Sequence, residues 1–210
     1  MNKLCLILLT IPIYATGCTP TFRVHVNGFS ELDQPIKDTA SIYVTVDPNS
    51  RNPIFDKEIK SKIEILLKSH GYIPAPNVEQ ADYRLAFHVG LDSRRVTGYT
   101  PLHRPFIGFH DRYWGDYNFG YVRYVPYFET LYDQWLVMKV FGTGRDDASE
   151  AGQVVWIGEA TTHTSVADLR RVVNYLLVAG FEYFGADTKR QMILKVGPED
   201  PGIIQITTLP

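Results

Sequence analysis

The sequence predicts an α+β fold, in which a mostly antiparallel sheet of about five strands carries two helices on one face. Several segments alternate apolar and polar residues with the period of two that is typical of half-buried strands. Two longer segments repeat their apolar residues at helical spacing instead. The order along the chain is strand, strand, helix, three strands, helix.

The first half of the predicted domain contains two strands and one helix. Residues 22–26 alternate apolar and polar side chains, and residues 41–46 form a second strand that ends at the turn-forming segment 47–50. Asn52 and Pro53 then match an N-cap followed by proline in the first helical turn. Apolar residues recur at helical spacing as far as Leu67, and Gly71 is suited to the left-handed turn that ends a helix.

The second half contains three strands and the second helix. Residues 83–91 alternate clearly, residues 131–141 form a longer apolar strand, and residues 154–160 are its predicted antiparallel partner. Ser165 and Asp168 have the spacing of a capping box that opens a helix carrying apolar residues as far as Phe184. The tail, residues 191–210, either adds an edge strand at 203–206 or stays irregular.

The N-terminus has the anatomy of an export signal. Lys3 precedes an apolar run, and Pro12 and the limited length of that run disfavour a permanent transmembrane helix. The motif Ala15-Thr16-Gly17-Cys18 resembles the lipobox of bacterial lipoproteins, although Leu is usual where Ala15 stands. We therefore expect residues 1–17 to be a cleaved signal peptide and Cys18 to carry a lipid; ordinary cleavage at the same position, giving a soluble secreted protein, is the alternative.

This signal sets the expected organisation and location of the chain. Residues 18–38 would be the anchor segment and first strand, residues 39–190 the α+β domain, and residues 191–210 the tail. After loss of Lys3, 20 of the 21 basic residues remain against 23 acidic ones, a net charge of −3 without a basic tract, so nucleic acid is not an expected partner. By analogy with bacterial lipoprotein sorting, Thr19 after the cysteine favours the outer membrane, facing the periplasm, with a periplasmic or secreted protein as the alternative.

Three short motifs resemble a family of bacterial envelope lipoproteins catalogued only as a domain of unknown function. They are a helix ending in Gly71-Tyr72, a strand opening with Ala81-Asp82, and a strand with the pattern Trp-x-Gly-x-Ala at residues 156–160. The resemblance spans residues 39–187 and implies an envelope location and this fold, but no activity and no catalytic residues. The long aromatic segment of this chain departs from the plainer glycine-rich loop of that family.

Residues 97–128 are predicted to be a long loop, rich in aromatic residues, glycine and arginine. A long irregular segment in a small domain is often functional, and tyrosine, tryptophan and arginine are the residues that interfaces favour. The alternative is a hairpin extension whose aromatic residues cover the second face of the sheet. The candidate partner-binding residues are Arg104, Arg112, Tyr113, Trp114, Tyr117, Tyr121, Arg123 and Tyr124.

No residue pattern in the chain indicates a reaction or a cofactor. His103 and His110 lie in the aromatic segment without a third fixed ligand, and His25, His88 and His163 are placed on the polar faces of strands, so no metal site is predicted. No nucleophile elbow, zinc-protease motif or phosphate loop is present. The sequence therefore predicts a non-enzymatic envelope lipoprotein that binds a protein partner or scaffolds a complex. A glycan- or peptidoglycan-binding protein, less plausibly a cleaving one, and an accessory subunit of a secretion or transport assembly are the alternatives.

Overall fold

Seven strands form one sheet in a computed structural model that describes residues 21–104, 121–142 and 152–208. The order of the strands across the sheet is β3-β2-β4-β5-β6-β1-β7. Their bounds are β1 Phe22–Ser30, β2 Ser41–Thr45, β3 Ile73–Pro74, β4 Tyr83–Arg104, β5 Tyr121–Gly142, β6 Val154–Thr164 and β7 Met192–Val196. Three helices accompany them, α1 Pro53–Ser69, α2 Leu169–Phe181 and α3 Pro201–Thr207, together with a 3₁₀ turn at Val78–Gln80.

The α+β class is confirmed, but the sheet is mixed and larger than the prediction of about five antiparallel strands. β2 runs parallel to both β3 and β4, because α1 carries the chain back across the sheet before those strands begin. The two strands absent from the prediction lie at the edges of the sheet, where β3 is only two residues long and β7 falls in the segment assigned to the tail.

All three helices belong to a single hydrophobic core on one face of the sheet. Alternate strand residues point into this core, so β1 buries Phe22, Val24 and Val26 while the side chains between them stay on the open face. Trp156 of β6 and Phe181 of α2 are among the largest fully buried side chains. Tyr175 of α2 lies in the same core.

The first helix begins and ends where the sequence predicts. The Asn52 side chain accepts a hydrogen bond from the Phe55 backbone N–H at 3.2 Å, and Pro53 occupies the first turn. Gly71 has a φ of +90°, the left-handed conformation that glycine adopts without strain.

The start of the second helix and the character of the tail were predicted wrongly. Asp168, not Ser165, is the N-cap of α2, and its carboxylate accepts from the Arg171 N–H at 3.2 Å. The segment expected to be an edge strand or irregular is instead helix α3, capped by Asp200. Ile203 and Ile206 are buried at helical spacing, which a strand at those positions would not allow.

Strands β4 and β5 form a hairpin that extends well past its neighbours. Each strand has 22 residues, and the pairing runs without a shift from Tyr83 with Gly142 to Arg104 with Tyr121. However, β2 pairs with β4 only as far as Ala86, and β6 pairs with β5 only as far as Tyr132. Residues 94–104 and 121–131, here called the arm, therefore form a two-stranded ribbon, and eleven residues per strand at about 3.3 Å each extend it by roughly 36 Å.

Among the described residues, no helix is both long and apolar enough to cross a membrane. The predicted signal peptide and Cys18 lie outside the described residues.

Candidate partner-binding arm

One side of the arm is an exposed aromatic surface. Cross-strand partners in a ladder point to the same face, so Thr97 shares its face with Phe128, and Tyr99 shares its face with Pro126. Phe128 is 70% exposed, Tyr99 65% and Tyr124 64%. Leu85 and Phe87 of β4 point into the core, and every second residue of a strand faces the same side. This surface of the arm therefore lies on the same side of the sheet as the helices. We call it the aromatic face; it consists of Val122, Tyr124, Pro126 and Phe128 on β5 and of Tyr99 and Pro101 on β4.

Two rings on the opposite side lie across glycines of the neighbouring strand. A Cβ atom added to Gly98 would meet the Tyr127 ring at 2.3 Å, and one added to Gly90 would meet the Trp135 ring at 2.1 Å. Gly98 with Tyr127 and Gly90 with Trp135 are directly opposed pairs in the ladder. The rings therefore cover the backbone where glycine leaves a gap, a known way of stabilising a glycine-containing sheet.

The base of the arm is fixed to the sheet by polar contacts on the open face. Trp135 donates from Nε1 to Asp92 Oδ2 at 3.1 Å. Arg94, the first β4 residue of the arm, places Nε 3.2 Å from Asp133 Oδ2 on the adjacent strand. These contacts join β4 to β5 at the base of the arm, just before the pairing of β5 with β6 ends at Tyr132.

Proline interrupts both edges of the arm. Pro101 on β4 pairs with Tyr124, and Pro126 on β5 pairs with Tyr99. Proline has no N–H and is accommodated in a ladder only where that side of the backbone faces outward. Each outer edge thus lacks one donor near its middle, which disfavours the addition of a further strand. A partner would therefore be recognised by the side chains on the two faces of the arm.

The structure separates the predicted site residues into three groups. Tyr124 lies on the aromatic face, whereas the exposed Arg123 next to it points to the opposite face. Arg104 and Tyr121 are a cross-strand pair at the end of the arm, with side chains outside the described part of the structure. Arg112, Tyr113, Trp114 and Tyr117 lie outside the described residues.

The predicted loop is strand at both of its described ends, residues 97–104 and 121–128. The hairpin extension, held as an alternative, is therefore the arrangement found. Three of its aromatic residues do not cover the sheet, since Tyr99, Tyr124 and Phe128 are all largely exposed, whereas Tyr127 lies over Gly98 of the paired strand. Tyr99 and Phe128 were missing from the predicted site; the alternation of their neighbours on paired strands is the signal that would have included them.

In the part of the chain that the structure describes, the ionisable groups with shifted pKa values lie away from the arm. Hydrogen bonds from Ser41 lower the pKa of Asp82, and contacts with Lys189 lower that of Asp187. Burial raises the pKa of the Tyr72 phenol. A Lys62 hydrogen bond lowers the pKa of Glu58, which lines an open groove between the helices. Among the described residues, no group of three or more His, Cys, Asp or Glu could hold a metal ion.

No family model matches the chain, and no curated protein matches it. Several solved structures are similar to it at low identity. A PDZ domain protein from Parabacteroides distasonis is 14% identical with a TM-score of 0.47, and the match covers 85% of this chain but only 40% of that one. A PelC dodecamer from Paraburkholderia phytofirmans is 14% identical with a TM-score of 0.43, over 79% of this chain and 99% of that one.

A DUF4136 family protein from Bacteroides thetaiotaomicron is 16% identical with a TM-score of 0.37, and the match covers 75% of this chain and 91% of that one. Its family name denotes a domain of unknown function, the kind of family that the sequence motifs resemble. None of these likenesses gives the chain a specific function.

Proposed function

We propose that this chain is a non-enzymatic envelope lipoprotein that binds a partner protein through the aromatic face of its arm. The single observation that carries the proposal is the concentration of exposed rings on a ribbon held by no other described strand. Tyr99, Tyr124 and Phe128 are each about two-thirds exposed. Monomeric proteins rarely leave a contiguous apolar surface in water without a use for it.

The free energy of the arm favours a state in which a partner covers its aromatic face. An isolated two-stranded ribbon is only marginally stable in water. Full burial of one large apolar side chain contributes about 1.5–3 kcal/mol, so three rings supply several kcal/mol toward the 4–15 kcal/mol that association costs. Covering the aromatic face would therefore stabilise both the ribbon and the complex.

The chemistry of the aromatic face favours a protein over a saccharide. On the same side of the arm as this face, the charged group among the described side chains is Arg95, and the other polar groups are the hydroxyls of Thr97 and Thr130 and those of Tyr99 and Tyr124. The described carboxylate of the arm, Glu129, pairs with Val96 and points to the other side. A sugar-cleaving site needs two carboxylates flanking the bond, and the two other carboxylates of the aromatic segment, Asp111 and Asp116, lie outside the described residues.

Replacing the three exposed rings by threonine tests the proposal. Threonine retains strand propensity, so Tyr99→Thr, Tyr124→Thr and Phe128→Thr together should leave the fold intact while removing the apolar contact area. We expect the partner that co-purifies from gently solubilised membranes to be lost. The matched control changes Phe29, Ile73 and Ile193 to threonine; they are also strand residues, with exposures of 55, 56 and 57%.

The control should retain the partner, and both variants should keep the circular dichroism spectrum of the wild type. Equal retention of the partner by the arm variant and the control would contradict the proposal. Retention of the wild-type chain on purified peptidoglycan, lost only in the arm variant, would favour the saccharide instead.

A further inference from the structure

Two histidines on the open face of the sheet form an arrangement that the proposed function does not use. His25 lies on β1 and His163 on the adjacent β6, and their ring centroids are 6.0 Å apart. The residues are 138 positions apart in sequence (163 − 25), so only the register of β1 against β6 brings them together. The two side chains are half-buried and exposed, respectively, and so remain accessible to solutes.

Each ring has one nitrogen occupied by an acceptor on the side away from the other ring. His163 Nδ1 is 2.6 Å from Asp133 Oδ1 on β5, and His25 Nδ1 is 3.2 Å from Gln191 Oε1, just before β7. A carboxylate and an amide oxygen accept hydrogen bonds, so these contacts favour the neutral tautomer in which each Nδ1 atom carries the hydrogen and each Nε2 atom keeps a lone pair.

The order of the strands directs these two lone pairs toward each other. Across the sheet the order is β5-β6-β1-β7, so His163 is held from the β5 side and His25 from the β7 side. The bonding directions of the two nitrogens of an imidazole diverge widely, so each Nε2 atom is directed away from the acceptor of its Nδ1. From the strand order we therefore expect both Nε2 atoms to face the space between β6 and β1.

We infer that His25 and His163 form a two-imidazole site for a late first-row transition-metal ion, such as Zn²⁺ or Cu²⁺. With metal–nitrogen bonds of about 2.1 Å, two rings on one ion have centroids roughly 5 to 6.5 Å apart, depending on the angle at the metal. The observed 6.0 Å lies in that range. The remaining positions on the ion are open to water or to a donor from a bound partner.

One contact in the surroundings is typical of a metal-binding histidine. A ligating histidine typically donates its other N–H to a carboxylate or carbonyl, as His163 does to Asp133. Asp133 also pairs with Arg94, and Arg23 and Lys195 are cross-strand neighbours on the same face. These four side chains carry a net positive charge, so Ca²⁺ and Mg²⁺, which prefer several oxygen ligands, are disfavoured, and the imidazole lone pairs favour late transition metals.

Protection of individual histidines from diethyl pyrocarbonate tests the site residue by residue. The full chain, purified without a histidine tag, is modified with and without Zn²⁺, and the modified peptides are quantified by mass spectrometry. Zn²⁺ should reduce modification of His25 and His163 to background and leave His88, which is exposed on the same face of β4, unchanged. Mg²⁺ should protect none of the three.

Variants then separate this site from metal binding elsewhere on the chain. His25→Ala should abolish Zn²⁺ protection of His163, and His163→Ala should abolish protection of His25. Asp133→Asn should weaken Zn²⁺ binding about tenfold, as is common when the acceptor behind a ligating histidine is changed. His88→Ala should have no effect. Equal protection of His88, or protection of either histidine that persists after loss of the other, would overturn the inference.

Discussion

The Glu58 carboxylate, at the junction of α1 and α2, contributes more to the free energy of unfolding than its half-exposed position suggests. Glu58 Oε1 is 2.7 Å from Lys62 Nζ, and Glu58 Oε2 is 2.6 Å from Arg170 Nη2 of α2. Lys62 is only 6% exposed, so its ammonium group depends on this partner. Glu58→Gln should lower the free energy of unfolding by about 2 kcal/mol, between the small effect at exposed ion pairs and the larger one at buried pairs.

The pH dependence of this effect follows from the sign of the pKa shift. The Lys62 hydrogen bond and, against the opposing effect of burial, the Arg170 contact hold the pKa of Glu58 below its ordinary value in the folded state. Its contribution is therefore complete above the unfolded-state pKa and is lost as the pH falls through the folded-state pKa. Urea unfolding should show the difference between wild type and Glu58→Gln near pH 7 and a much smaller one at about pH 3.

Glu64→Gln is the matched control. Glu64 Oε1 is 3.8 Å from Lys60 Nζ on the same helix, and both side chains of this ion pair are accessible to solvent. It should change the free energy of unfolding by at most about 0.5 kcal/mol. An effect of Glu58→Gln that is equally large at both pH values would show that the charge is not its cause.

At the level of the secondary-structure elements, we expect the rest of the domain to fold without the arm. Replacing residues 99–126 by Asn-Gly joins Gly98 to Tyr127, which already face each other in the ladder, through a turn that hairpins favour. Because none of the described core residues lies in the arm, the shortened chain should unfold cooperatively with a midpoint near that of the wild type. Thermal unfolding followed by circular dichroism checks this, and a broad transition or loss of the strand signal would show that the arm belongs to the core.

Some elements of this fold can be predicted from the sequence and others cannot, for reasons that differ from element to element. Asn52-Pro53 indicates the start of α1 because a long apolar pattern follows it, whereas only one buried turn follows the equivalent pair Asp200-Pro201, so the sequence predicts a tail there. For the arm the sequence predicts a loop, because strands are recognised in a sequence by alternating apolar and polar residues. Both faces of the arm are exposed, and its two prolines break the pattern further. The proximity of His25 to His163 depends on strand register, which no local pattern encodes.

At the scale of the whole molecule, the proposal requires the domain to be held at a membrane through Cys18. Lipidation should make the chain incorporate a fatty-acid analogue in bacterial cells and fractionate with membranes. Cys18→Ser should abolish both, while Cys5→Ser, in the predicted signal peptide, should leave the labelling intact. Release of the wild-type chain as a soluble, unlabelled protein would favour ordinary secretion.

The central claim is that the aromatic face of the arm contacts another protein, and site-specific photo-crosslinking in living cells tests it most directly. A photoreactive residue is placed at Tyr99 or Phe128 on the aromatic face, and at Ile73 at the far edge of the sheet as the control. We predict a discrete crosslinked species from both arm positions and none from position 73. No crosslink from the arm, or the same products from all three positions, would contradict the account.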